Sequence, residues 1–379
     1  MKLYEYETKK ILKEHNILTP KGETAKNPTK ARLAASRLKS PFVVKAQVLM
    51  AGRGKAGGII FANTPGEVEK AAEKLFEAKI KGVAVKQVLV EEKIPIKKEL
   101  YVGITVDRAE RKYALITSDA GGVDIEEVAE KAPERIVKTL VDSILSFEVA
   151  DARGIAERMC YEGKQQALLA DILCKFLRVG TNFDVELFEM NPLAETVDGK
   201  FVALDARLIM DDNALFRRKE YQGKLYDAGR ERTAKEVEAL KDGLAYVKLD
   251  GDIGVVGNGA GLVMATLDVI QQYGGRPADF LDLGGGASVE RITAALEIVL
   301  SDPHVKSLFI NILGGITRCD DVARGIIQAK TAFNSSVPII VRLVGTNEKE
   351  GRRVLNEAGM RVLGSMEEAV QLAVKLIST

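Results

Sequence analysis

Tryptophan is absent from this 379-residue chain, histidine occurs twice and cysteine three times. His15 and His304 lie far apart and neither neighbours a glycine-rich turn, so both read as surface residues and a histidine-centred catalytic group has no material here. Cys160, Cys174 and Cys319 are odd in number and lack metal-ligand spacing, which excludes a zinc site or disulfide scaffold and suggests a reducing compartment. Cys319 falls near a helix start, where a thiolate is favoured, but with no histidine nearby in sequence it reads as structural. No apolar run reaches the length of a membrane span. The first twenty residues mix Glu5, Glu7 and Glu14 with four lysines, unlike a signal peptide, and the expected location is cytoplasmic. A net charge of +1 provides no footprint for nucleic acid or an anionic membrane. Small-molecule chemistry is what remains.

Hydrophobic residues make up 46% and charged residues 29%, ordinary values for a soluble globular chain of two or three domains. From Arg217 to Gly243, 14 of 27 residues are charged, which marks the approach to a domain boundary, placed at 238/239. Beyond it a cadence sets in: 253-IGVV-256 then GNGAG, 279-DFLDL-283 then GGGAS, 305-VKSLFINIL-313 then GGITR, and 337-VPIIVRLV-344 then GTN. Strand, glycine turn and helix in repetition predict a doubly wound parallel α/β domain over 239–379, with ligands at the carboxyl ends of the strands. Residues 1–238 are less uniform. Helices are expected over 3–17 and 28–38, then short alternating strands and helices, then a hairpin of 185–191 with 201–209 around Asp198-Gly199, an α+β pattern.

The stretch 42-FVVKAQVLMAGRGKAGGI-59 is not a Walker A loop, because Gly57 and Gly58 stand where Gly-Lys-Ser/Thr would be needed. It offers a strand lysine, Lys45, then a glycine loop with Arg53 and Lys55: either a phosphate cradle or a charged hairpin tip. In 187-LFEMNPL-193, alternation puts Glu189 and Asn191 on one face. A two-residue turn would pair Pro192 with Asp205 and send Asp205 to the other face; a three-residue turn would bring Asp205 and Arg207 to the face of Asn191. In that register Asn191 and Asp205 supply oxygen ligands suited to Mg2+ held jointly with a nucleotide's phosphates, the alternative being an ordinary polar outer face. The turn 257-GNGAG-261 fails the dinucleotide pattern at Leu262, which excludes nicotinamide binding. The turns 284-GGGA-287 and 314-GGIT-317 are expected to open helices whose N-termini attract an anion.

Across these blocks, from LYEYETKKILKEHNILTPKG through VVKAQVLMAGRGKAGG, EKAPERI, FEMNPL, DDNALFR, NGAGLVMAT, FLDLGGGAS and NILGGITRCDDVA, the chain resembles the β subunit of succinate–CoA ligase, also called succinyl-CoA synthetase. The resemblance spans essentially the whole length. It implies an ATP-grasp half, α+β and two-lobed, followed by a flavodoxin-like CoA-ligase domain. By matching positions, Lys45, Gly52, Arg53 and Gly54 would contact nucleotide phosphates, and Glu91, the Ile94 backbone and Glu99 would line the rest of an ATP/ADP site. GTP/GDP is the other candidate pair. Asn191 and Asp205 match Mg2+ ligands, Glu189 a carboxylate that orients a phosphohistidine, and Asn258, Gly315, Ile316 and Thr317 the contacts to the carboxylate substrate. The family's phosphohistidine and CoA site belong to an α subunit, which accounts for the missing histidine and implies a heteromer, αβ or α2β2. One departure is Ala120, directly before Gly121-Gly122, where related sequences commonly carry an acidic residue; Asp119 is a candidate substitute. Two other functions fit less well: a non-catalytic nucleotide-binding subunit, and a self-sufficient ATP-grasp carboxylate–amine ligase. A malate–CoA ligase is closer, since a site that ignores the extra hydroxyl would separate the two acids by only about a hundredfold.

Overall fold

The computed structural model describes residues 1–50, 52–142, 147–226, 232–333 and 335–377. Part of the charged run, 227–231, and Ala51 of the glycine loop lie outside the described residues. The chain divides into two compact units, Met1–Gln222 and Gly223–Thr379.

The first unit begins with α1 (Glu5–Glu14), β1 (Gly22–Ala25), α2 (Pro28–Ala35), β2 (Phe42–Ala46), β3 (Ile59–Ala62), α3 (Pro65–Glu77), β4 (Lys79–Ile80), β5 (Val83–Ala84) and β6 (Val88–Glu92). Local chemistry starts the helices. Asn27 and Thr64 accept hydrogen bonds from Lys30 N and Glu67 N, and each is followed by a proline whose missing N–H would have been unpaired anyway. The antiparallel sheet β1-β6-β2-β3 follows two-residue alternation. Phe42, Val44, Ala46, Val88 and Val90 pack under α2 and α3, which leaves Val43, Lys45, Leu89 and Glu91 for the other face.

The same unit continues with β7 (Ile96–Asp107), β8 (Lys112–Ser118), α4 (Ile125–Lys131), β9 (Ile136–Val141), α5 (Val149–Arg158), α6 (Gly163–Asn182), β10 (Val185–Thr196), β11 (Phe201–Ala203), β12 (Ala206–Met210) and α7 (Lys219–Gln222). The long strand β10 pairs with β7 on one edge. Its other edge takes β11 and β12, which form one return strand interrupted at Leu204–Asp205. Phe176 of α6 stacks on Phe188 of β10, both wholly buried, with ring centroids 4.0 Å apart. Such a pair adds about 0.5–1.5 kcal/mol beyond its burial.

The second unit holds α8 (Ala234–Lys241), β13 (Ala245–Lys248), β14 (Ile253–Gly257), α9 (Ala260–Gln272), β15 (Asp279–Asp282), α10 (Val289–Leu300), β16 (Ser307–Gly314), α11 (Cys319–Phe333), β17 (Ile339–Gly345), α12 (Glu348–Glu357), β18 (Val362–Leu363) and α13 (Met366–Ile377). Its sheet runs β13-β15-β14-β16-β17-β18, parallel except for the edge strand β13. Counting from β14, the parallel strands stand in the order 2-1-3-4-5, the flavodoxin-like arrangement. One face buries α9 and α13, the other α8, α10, α11 and α12. Strands covered on both sides are near-continuous apolar runs, and β16 is buried from Ser307 to Ile312, its two polar side chains, Ser307 and Asn311, being hydrogen-bonded to Ala373 and Thr266. No helix among the described residues is long and apolar enough to cross a membrane.

One carboxyl breaks that rule. Asp279 on β15 is 1% exposed, its one hydrogen-bond donor among the described residues being the Val255 N–H at 3.3–3.4 Å, and burial holds its pKa well above the ordinary value. As pH rises past the unfolded value near 4, the unfolded chain releases this proton while the folded one retains it, so stability falls toward the folded pKa. Asp279→Asn is therefore expected to gain stability relative to the parent as pH goes from 5 to 8 in denaturant titrations. A constant difference across that range would show that the carboxyl does not titrate differently in the two states.

Candidate functional site

The hairpin register decides what the first unit can do. Thr196 is bonded to Lys200 around a loop of Val197, Asp198 and Gly199, with Gly199 at φ +76°, where a glycine is at no disadvantage. From this three-residue turn the pairing runs Leu193↔Ala203, then Asn191 N–H to Asp205 O at 3.1 Å, then Glu189↔Arg207. Asn191, Asp205, Glu189 and Arg207 thus share one face, and all four line a cleft of about 860 Å³. The opposite wall is the uncovered face of the first sheet, with Val43, Lys45 and Glu91.

Under this cleft lies a cluster of buried charges. On α1, Glu5 and Lys9 are four residues apart and both point inward. Lys9 Nζ donates to both Glu91 oxygens at 2.6 and 2.7 Å, and Lys45 Nζ lies 2.9 Å from Glu5 and from Glu91. The interruption between β11 and β12 frees the Leu204 carbonyl from the ladder, and it accepts from Lys9 at 2.7 Å and Lys45 at 2.5 Å. Arg53 reaches from the glycine loop to Glu5, to Asp205 Oδ1 at 3.0 Å and to the Ala46 carbonyl. Burial works against every charge here, yet Glu5 is held well below the usual carboxylate range by Arg53, Lys45 and Lys9. Lys45 and Arg53 are raised by their carboxylates in spite of burial. Asp205 goes the other way, its burial outweighing the pull of Arg53.

Asn191 and Asp205 offer an amide oxygen and a carboxylate side by side, a hard donor set that suits Mg2+. Among the described residues no group of three or more His, Cys, Asp or Glu could hold a metal alone. A cation here would complete its shell with phosphate and water. Asn191 Oδ1 now accepts from Gly122 N–H at 2.7 Å, and Asp205 faces Arg53. Glu189 accepts from the Tyr101 hydroxyl at 3.3 Å, and its pKa is raised by burial against the pull of Arg207. A glycine at 103 leaves room for the Tyr101 ring.

Of the other expected nucleotide contacts, Gly52, Gly54, Glu91, Ile94 and Glu99 all border this cleft. The loop after Ala120 lies against β7, where a side chain at Gly121 would strike the Leu100 backbone. Asp119 does not replace the missing acid. It turns to Arg135 at 2.7 Å and Lys98 at 3.6 Å and does not line the cleft. His304 is exposed, and His15 is half-buried with its ring edge against Phe183, contrary to a plain surface placement.

In the second unit the glycine turns gather at the carboxyl ends of β14, β15 and β16. Asp282 accepts from Gly259 N–H at 2.5 Å and Gly284 N–H at 2.8 Å, and Thr317 Oγ1 accepts from Gly286 N–H at 3.1 Å. Asn258 clamps Leu313 through both its amide oxygen and nitrogen at 2.9 Å. Gly315 and Ile316 are exposed and Thr317 is buried. Contrary to expectation, 284-GGGA-287 and 314-GGIT-317 do not themselves open helices: α10 starts at Val289 and α11 at Cys319, and α11 carries Asp320 and Asp321 in its first turn, so side-chain carboxylates already meet its dipole. Cys319 is buried, and burial pushes its thiol up to about 11, the reverse of the thiolate that a helix start favours.

An antiparallel two-lobed cleft built on Lys45, Arg53 and an Asn–Asp pair, followed by a 2-1-3-4-5 parallel domain, defines the class: an ATP-grasp protein joined to a CoA-ligase fold. The ATP-grasp domain family matches residues 2–195 and the CoA-ligase family residues 256–376. The chain belongs to the succinate–CoA ligase β-subunit family. It is 46% identical over 378 residues to the ADP-forming succinate–CoA ligase β subunit of Ignicoccus hospitalis, covering 99% of both chains. It is 46% identical to the same subunit of Desulfurococcus amylolyticus, covering 100% of this chain and 99% of the relative. The solved ATP citrate lyase of Methanothrix soehngenii shares the fold over 99% of each chain, with a TM-score of 0.81 at 20% identity.

Residue-type reasoning did not single out Glu5, Lys9 or Tyr101. A signal existed for the first two: they share a helix face with Leu12, at spacings of four and three, so a charged pair occupies the apolar side of α1. Removing one member of a buried ion network leaves its partners uncompensated. Glu5→Ala is therefore expected to cost about 3–5 kcal/mol in denaturant unfolding. A loss within about 0.5 kcal/mol, the range of ordinary surface changes, would mean that the cluster does not hold the lobe together.

Proposed function

We propose that this chain is the β subunit of an ADP-forming succinate–CoA ligase, the half that binds nucleotide in the reversible conversion of succinate, CoA and ATP to succinyl-CoA, ADP and phosphate. Full-length similarity to proteins of that name supports the reading. The observation that carries it is the meeting of Lys45 and Arg53 with the cross-strand pair Asn191 and Asp205 in one cleft. On this reading the nucleotide-binding region lies within residues 1–238 and the CoA-ligase domain within 239–379, while the compact units divide earlier, at Gln222/Gly223, ahead of α8.

Lys45 and Arg53 hold phosphate oxygens, while Gly52 and Gly54 let the backbone approach them. Glu91, the Ile94 backbone and Glu99 line the remainder of the ATP site, with GTP as second candidate. Asn191 and Asp205 hold Mg2+, which when bound neutralises phosphate charge and aligns the terminal phosphoryl group. Glu189 orients a histidine of the α subunit, the partner that carries the phosphoryl group and binds CoA. Asn258 and Gly315 to Thr317 receive the carboxylate substrate. Because phosphoryl transfer is mostly positioning and charge neutralisation, a subunit without a nucleophile of its own can supply most of what it needs.

Co-purified with its α partner, the chain is expected to form thioester from succinate, CoA and ATP, and to form none alone. Activity of the lone chain, or faster turnover of malate than of succinate, would overturn the assignment. In the complex, Asp205→Asn should slow Mg-dependent phosphorylation of the partner histidine by on the order of a hundredfold or more; an unchanged rate would remove Asp205 from the metal site.

A further inference from the structure

The cations along the buried floor of the cleft differ in one respect. Lys9, Lys45 and Arg53 each have at least one carboxylate oxygen within 3.0 Å. Arg207 does not. Among the described residues its nearest carboxylate is Glu189 at 4.0 Å, too far for a hydrogen bond, and its side chain is 31% exposed to the cleft. An ion pair so loose and so open contributes little to folding. Nor is Arg207 needed to fix Glu189, which already has the Tyr101 hydroxyl.

Its position is specific. Arg207 stands directly across the strand pair from Glu189, and the Asn191–Asp205 pair follows two residues along on the same face, about 7 Å away at strand spacing. A phosphoryl group leaving the metal pair for an acceptor oriented by Glu189 crosses this interval. We propose that Arg207 is a further catalytic residue, whose guanidinium binds the terminal phosphoryl oxygens of a nucleoside triphosphate during transfer. The inference rests on the cleft being a nucleotide site. In the step, the bond from the terminal phosphorus to the β,γ-bridging oxygen breaks, its electron pair stays on the diphosphate, and the acceptor imidazole nitrogen forms the new P–N bond with its lone pair. Arg207 moves no proton. Its planar fork matches charge spread over the equatorial oxygens, which a point charge matches less well.

The test uses the complex with the α subunit and the variants Arg207→Ala and Arg207→Lys. Calorimetric affinities are measured for Mg-ADP and for a non-hydrolysable Mg-ATP analogue, beside single-turnover phosphorylation of the partner histidine. Arg207→Ala should bind Mg-ADP within about twofold of the parent but lose on the order of tenfold or more for the triphosphate analogue. Its single-turnover rate should fall on the order of 10²- to 10³-fold, with partial recovery in Arg207→Lys. Equal weakening of both nucleotides, or a rate within a few fold of the parent, overturns the proposal. Should the alanine variant fail to fold, Arg207→Lys decides: a slowed rate with normal Mg-ADP affinity supports the role, and parent-like behaviour on both refutes it. A parent complex that binds neither nucleotide refutes the cleft reading itself, an outcome distinct from a parent that binds and a variant that matches it.

Discussion

The arrangement of the cleft depends on one register. Side chains alternate with a period of two, so adding or removing one residue between Thr196 and Lys200 would turn Asp205 and Arg207 to the far side of the sheet. The three-residue loop with Gly199 in the left-handed region matches Asn191 to Asp205 and Glu189 to Arg207 in a single stroke. The break in the return strand leaves the Leu204 N–H on Pro192 of β10 but turns its carbonyl to Lys9 and Lys45. A short turn about seven residues from the chemistry therefore places acceptor, carboxylate and guanidinium together.

The second unit was legible from sequence because its code is local. Each buried parallel strand is an apolar run that ends in glycines, and four such runs map onto β14, β15, β16 and β17 within one to two residues at each end. The edge strands β13 and β18 lacked that signal, since β13 is largely exposed and β18 has two residues. In the first unit the hairpin was visible but its register was not, because Asp198-Gly199 serves a two- or a three-residue turn equally well. Glu5 and Lys9 were passed over because charged residues in a helix ordinarily face water; only their tertiary partners, 40 and more residues away for Glu5 and 82 and more for Lys9, account for their burial.

The two units solve a shared problem differently. In the first, Lys9, Lys45 and Arg53 are matched by full charges of opposite sign. In the second, backbone N–H groups at the glycine turns are matched by side-chain oxygens, Asp282 on Gly259 and Gly284, and Thr317 on Gly286. Both satisfy the buried donors without ligand, which a folded chain must do. Asn258 belongs to the same scheme, since its clamp on Leu313 ties the turn after β14 to the end of β16.

The pre-paired floor of the cleft has a consequence for selectivity among anions. A pocket of unmatched lysine and arginine would attract phosphate, sulfate and free carboxylates alike. Here a simple anion gains little, because Lys9, Lys45 and Arg53 already touch carboxylates held in place by the fold. In the proposed reading, a ligand carrying its own cation would improve on that arrangement by engaging Asp205, which now pairs with Arg53. The internal carboxylates thus act as a resident competitor for anions at Lys9, Lys45 and Arg53, leaving Arg207 as a cleft cation without a close counter-charge among the described residues.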